Sequence, residues 1–123
     1  MGFLRKLLGS APPDPAAELQ AALEAAEAVR ALPEIGGDPA KDREIAALIV
    51  NLKAAESALA SGRDDQGIPT KPSEIADRLQ RTLGYMKQRG NWARLNAKAS
   101  GDARSKLARL DKAAESSVKA LRA

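Results

Sequence analysis

Apolar residues recur along this chain at intervals of three and four, in four blocks separated by proline and glycine. Leu19, Leu23, Ala26, Val29 and Leu32 share one helical face, and Ile45, Leu48, Ile49, Leu52, Ala55 and Leu59 share another. Ile75, Leu79, Leu83 and Met86 make a third stripe. Trp92, Leu95, Ala99, Ala103, Leu107, Leu110, Ala114, Val118 and Leu121 make a fourth. This is the period of amphipathic α-helices, and no stretch alternates long enough to indicate a strand. The breaks fall at residues 10–15, 33–39 and 62–72 and at Gly90. Asp14-Pro15 and Asp38-Pro39 read as an N-cap followed by proline at the first helical position. Thr70 or Lys71 before Pro72 is a weaker version. Glu18, Asp42 and Glu74 follow in the first turns, at the positive end of each helix dipole.

The fourth stripe keeps its phase across Ser100-Gly101-Asp102. It reads either as one helix that tolerates a glycine or as two helices, the second capped by Ser100 or Asp102. Four main helices and short connections predict an all-α fold. The expected form is an antiparallel four-helix bundle, with five helices if the last breaks near Gly101. A short N-terminal amphipathic helix (residues 1–10) and a proline-rich tether (residues 11–15) precede the bundle (residues 16–123). Glu44-Ile45-Ala46 recurs as Glu74-Ile75-Ala76, which shared helix-start chemistry explains better than an internal duplication.

Composition narrows the function more than the fold. Among 123 residues there is no cysteine and no histidine. Thiol chemistry, thiolate metal sites and the commonest acid/base and metal ligand at neutral pH are therefore excluded. Phe3, Tyr85 and Trp92 are the only aromatics, too few for a base-stacking platform. Alanine fills many apolar positions, so the expected core is thin and self-association would support it. Trp92, at the head of the fourth stripe, is expected to be a largely buried anchor.

No motif carries catalysis. There is no glycine-rich phosphate loop and no dinucleotide fingerprint. Ser116-Ser117-Val118-Lys119 matches Ser-x-x-Lys only formally, without the companion motifs. Glu24 and Glu27 lie three apart without the histidines that a helical di-iron site needs. Asp64-Asp65 lacks the spacing of a calcium loop. The chain reads as a non-catalytic interaction or scaffolding protein with no cofactor, no metal and no small-molecule substrate.

At the N-terminus, Phe3, Leu4, Leu7 and Leu8 fall on one side of a helix, with Arg5 and Lys6 on the other. Such a segment suits an anionic membrane surface. It suits equally the bundle's own apolar surface, or a partner protein's groove. Full burial of four large side chains is worth at most about 1.5–3 kcal/mol each, offset by the ordering of a short helix. Arg5 and Lys6 also interrupt any secretory h-region. The most apolar run, residues 45–52, is far shorter than the ~20 residues of a membrane span. The expected location is cytoplasmic, with contact at the inner face of the membrane.

Charge is divided unevenly. Residues 1–62 carry six Lys/Arg and nine Asp/Glu, whereas residues 63–123 carry fourteen and seven. The basic half offers Arg78, Arg81, Lys87, Arg89, Arg94, Lys98, Arg109, Lys112 and Lys119 as a candidate face. If the last helix is continuous, Arg94, Lys98, Arg109, Lys112 and Lys119 line up opposite its leucines as one ridge. That ridge could track nucleic-acid phosphates without reading sequence, which is the alternative function. The plainer expectation is a solvated face, partly neutralised by the acidic first helix of the same or a neighbouring molecule.

Overall fold

The aspartate–proline pairs start helices. In a computed structural model, which describes residues 14–123, Asp14 Oδ1 accepts from the amides of Ala16 (3.0 Å) and Ala17 (3.4 Å) at the head of α1, Pro15–Arg30. A single helical turn, α2 (Pro33–Gly36), occupies the segment expected to be a plain break. Asp38 then repeats the cap, accepting from Ala40 (3.0 Å) and Lys41 (3.3 Å), and opens α3, Pro39–Ser61. Gly62 closes α3 at φ 71°, a left-handed conformation that a Cβ disfavours. At the head of α4 (Pro72–Gln88) the cap residue is Lys71, whose side chain has no acceptor. Glu74 instead reaches back to the Lys71 amide at 3.1 Å, half of a capping box.

The fourth stripe is two helices. The short α5 (Asn91–Asn96) ends before Lys98, which sits at φ 56°. Ser100 then caps α6 (Gly101–Arg122), its hydroxyl accepting from Ala103 N at 3.1 Å. The phase of the stripe survives because Leu95 and Ala99 remain buried across the break. Trp92 is partly buried and packs against the core, and Leu95, one turn later, is the fully covered anchor of α5.

The four long helices run alternately up and down. Arg30 at the end of α1 meets Asp42 at the start of α3, and Arg122 at the end of α6 meets Asp77 near the start of α4. α1 therefore begins at the end of the bundle where α3 and α6 finish and α4 starts. Contacts run around a ring, α1 with α3, α3 with α4, α4 with α6 and α6 with α1, the last pair being the most extensive. Leu19, Ile45, Leu48, Leu52, Leu107 and Leu110 fill the centre, with Ala22, Ala26, Ala103 and Ala114 fully covered beside them. The two EIA triplets play different parts. Glu74 caps a helix, whereas Glu44 lies in the second turn of α3 and pairs with Arg94. Nothing in their geometry marks a duplication.

The end of the bundle opposite Asp14 is tied by polar bonds. The Glu34 carboxylate, on α2, accepts both the Ser100 amide (3.1 Å) and the Ser100 hydroxyl, 66 residues away. Lys41 Nζ donates to Ala97 O at 3.0 Å. Arg94 Nε donates to Glu44 Oε1 at 2.7 Å. The start of α6 is thus held by α2 and α3. α2 also fits tightly against α1: a Cβ at Gly36 would collide with the Arg30 carbonyl oxygen, whereas a Cβ at Gly84 in α4 meets nothing within 4 Å. Gly36→Ala should lower the urea midpoint by an amount equivalent to about 1–3 kcal/mol, the scale of overpacking. Gly84→Ala should raise it by about 0.5–1 kcal/mol, through helix entropy alone. Equal effects from the two substitutions would contradict the packing of the α2 corner.

Candidate interaction surface

The structure sorts the candidate basic residues by whether a carboxylate reaches them. On α4, Arg78 Nη2 lies 3.4 Å from Asp64 Oδ2. Lys87 Nζ is shared between Asp111 (3.1 Å) and Glu115 (3.2 Å) of α6, and Asp111 above all holds its ammonium above the usual lysine value. Arg94 belongs to α5 and pairs with Glu44. Arg89, at the C-cap of α4, stands over the Tyr85 ring, 5.0 Å from its centre. Lys98 is exposed in the α5–α6 linker. The single ridge expected of a continuous last helix therefore does not form. Its first member is neutralised, its second sits in a left-handed turn, and the helix breaks between Lys98 and the rest.

The neutralising acids also differ from expectation. They come from α3, the loop after it, α4 and α6. Glu18, Glu24 and Glu27 of α1 make no ion pair among the described residues. α1 sits diagonally across the ring from α4, which carries Arg78 and Lys87.

What remains is a stripe on the solvent side of α6. Ser105, Arg109, Lys112, Ser116 and Lys119 follow one another at helical spacing of three and four, so they share one face. Arg109, Lys112 and Lys119 are exposed, and no carboxylate among the described residues pairs with them. Glu115, adjacent to Lys112 and Lys119 on the helix, turns to Lys87, and Asp102 turns to Lys106 at 3.3 Å. Arg81 on α4 is exposed and likewise without a carboxylate among the described residues. Lys119 lies near the C-terminal end of α6, at the same end of the bundle as Asp14, where residues 1–13 leave it. Phe3, Leu4, Arg5, Lys6, Leu7 and Leu8 themselves lie outside the described residues.

Sequence reasoning missed a second feature, a cleft of about 490 Å³ between the C-terminal half of α3 and the start of α4. Ala54, Ala55, Ala58, Ile75 and Leu79 form its apolar part. Its only sequence signal is the run of small residues on one side of α3, Ala47, Asn51, Ala54, Ala58 and Ser61. Such a run tells nothing of what faces it. At its mouth Asp64 is almost fully occupied: Oδ1 accepts the Gln66 and Ile68 amides, both at 2.9 Å, and Oδ2 faces Arg78.

Among the described residues no group of three or more acidic side chains could hold a metal ion, and no helix is long and apolar enough to cross a membrane. Ser117 in the formal Ser-x-x-Lys region is fully buried and donates its hydroxyl to Ala114 O at 2.6 Å. Comparison with protein-family models, curated proteins and solved structures finds no match.

Three carboxylates lie below their ordinary values: Glu34 through the Ser100 hydroxyl and amide, Asp42 through Arg30, and Asp64 through the Ile68 amide first. Each favours the folded state when ionised. Their contribution is complete above the usual carboxylate range, about 4, and is lost as pH falls through the lower folded values. The urea midpoint should therefore be flat near neutrality and drop on acidification. Glu34→Gln should lower it at neutral pH and make the acid drop shallower. An acid limb unchanged by Glu34→Gln would show that the Glu34–Ser100 tie contributes nothing.

Proposed function

We propose that this chain is a non-catalytic interaction protein that attaches peripherally to an anionic membrane surface. The observation that carries the reading is the stripe of Arg109, Lys112 and Lys119, cations left without acids on α6, running toward the end of the bundle where residues 1–13 begin. A basic patch alone binds such a surface weakly, at about 1 kcal/mol per cation. A short apolar segment alone is also marginal, so stable attachment takes two signals. Phe3, Leu4, Leu7 and Leu8 supply the apolar signal, and Arg5, Lys6 and the α6 stripe supply the electrostatic one. Self-association, which a thin alanine-rich core favours, would multiply both.

The same stripe also fits nucleic-acid phosphates, read without base specificity because no aromatic platform accompanies it. The two readings part on the apolar segment. Co-sedimentation of the full chain with phosphatidylglycerol/phosphatidylcholine vesicles should fail on pure phosphatidylcholine and weaken with salt. Leu4→Glu with Leu8→Glu should abolish it, because each places a charge in apolar surroundings. Arg109→Gln, Lys112→Gln and Lys119→Gln together should weaken it by roughly 100-fold at low salt, from about 1 kcal/mol each, with the helical circular-dichroism signal unchanged. No vesicle binding at low salt would sink the membrane reading. Duplex DNA binding that the triple substitution removes and the Leu4/Leu8 pair leaves intact would install the nucleic-acid reading in its place.

A further inference from the structure

We infer that the cleft between α3 and α4 is the resting seat of the chain's own N-terminal apolar residues, Phe3, Leu4, Leu7 and Leu8, so that they are held in the cleft or delivered to the membrane but never both. The inference rests on the membrane reading above and supplies its regulation.

The first ground is the chemistry of the cleft. Its volume, about 490 Å³, lies in the range of ligand clefts, large enough for a few big side chains and too small for a domain. Its apolar part is built from alanines where larger residues would have closed α3 onto α4. Of the polar groups at the mouth, Asp64 is bound by two amides and faces Arg78, and Arg63 donates to Gly67 O at 2.8 Å. Lys53, Ser57 and Asp65 complete the rim. Apolar side chains that settle against Ala54, Ala55, Ala58, Ile75 and Leu79 break none of the Asp64 and Arg63 bonds.

The second ground is where the chain ends. α1 starts at the end of the bundle where α3 finishes and α4 begins, which is the end that holds the cleft. Asp14 is the fixed point, and five residues, six Cα–Cα steps, separate it from Leu8. Six extended steps span up to ~20 Å, and neighbouring helix axes stand roughly 8–10 Å apart. In the ring of helices the cleft is between α3 and α4, and α3 is next to α1, so two helix spacings, about 16–20 Å, are what the tether has to cover.

The third ground is the tether itself. A short linker gives the segment an effective concentration on the millimolar scale at the cleft. A helix of another protein with the same intrinsic affinity has to reach that concentration to displace it. With the apolar side turned into the cleft, Arg5 and Lys6 on the opposite side remain in water, so the mixed charges at the mouth neither bar nor drive docking. Free segment is then the form that binds membrane, and its apparent affinity falls by the fraction held in the cleft.

The absence of cysteine makes the test clean. Leu4→Cys combined with Ser57→Cys, an exposed position lining the cleft, puts one thiol on the segment and one at its seat. Leu4→Cys with Lys112→Cys, on the solvent side of α6, is the control. In a glutathione redox buffer the first pair should form an intramolecular disulfide at least tenfold faster than the second. The oxidised first pair should lose co-sedimentation with phosphatidylglycerol/phosphatidylcholine vesicles and regain it on reduction. Ala54→Leu, at an exposed position in the cleft, should raise vesicle affinity of the full chain several-fold by displacing the segment. Equal crosslinking rates, or no gain from Ala54→Leu in a chain that binds vesicles, would overturn the seat and leave the membrane reading standing. Fast crosslinking in a chain whose reduced form ignores vesicles would keep the seat and overturn the membrane reading.

Discussion

Alanine on the facing sides of α1 and α6 is the constraint from which the rest of the structure follows. Ala22, Ala25 and Ala26 on one helix and Ala103 and Ala114 on the other are buried in the most extensively packed pair. Each covered alanine removes little apolar area from water. The larger side chains are therefore concentrated at the centre, in Leu19, Ile45, Leu48, Leu52, Leu107 and Leu110. Toward the ends polar contacts take over. At one end Glu34, Lys41 and Glu44 hold the α5–α6 junction, and at the other Asp77 meets Arg122 at 2.9 Å. Where small residues on α3 face α4 without either kind of support, the pair parts and the cleft opens.

This division also sets the surface electrostatics. The bases of the second half of the chain are not uniformly available. Those between adjacent helices act as ties: Lys87 joins α4 to α6, Arg94 joins α5 to α3, and Arg122 joins α6 to α4. Partly exposed pairs of this kind add little stability singly, yet they consume the acids that would otherwise sit beside Arg109, Lys112 and Lys119. The uncompensated stripe on α6 is thus a by-product of how its neighbours are joined.

Much of the fold was legible because local rules and packing agreed. The four apolar stripes, the caps at Asp14 and Asp38 and the option of a cap at Ser100 follow from helical period and N-cap chemistry. The departures arise where a distant residue decided the outcome. A glutamate 66 residues away fixes the break before α6, and without the break Lys98 would have continued the ridge. Trp92 packs against the core in the phase its stripe gives it, while Leu95 takes the fully covered place. The single turn of α2 hides in a segment of proline and glycine that reads as loop. Of the candidate site, sequence named the cations without their partners, since pairing depends on which helices are neighbours and not on spacing along one of them. The cleft was illegible for the same reason.

The short α5 has a further consequence. Residues 91–96 are fastened by one covered leucine, half a tryptophan ring and one ion pair, and are followed by Lys98 in a sparsely populated backbone conformation. The long helices share the continuous core, whereas this turn leans on its rim. Its amide hydrogens should therefore exchange sooner than those of the four long helices, through an opening that breaks the Arg94–Glu44 and Lys41–Ala97 ties and leaves the ring intact. Because Trp92 is the chain's single tryptophan, its emission reports on that local opening as well as on the unfolding of the bundle, and the two events separate wherever helix content and tryptophan emission change at different denaturant concentrations.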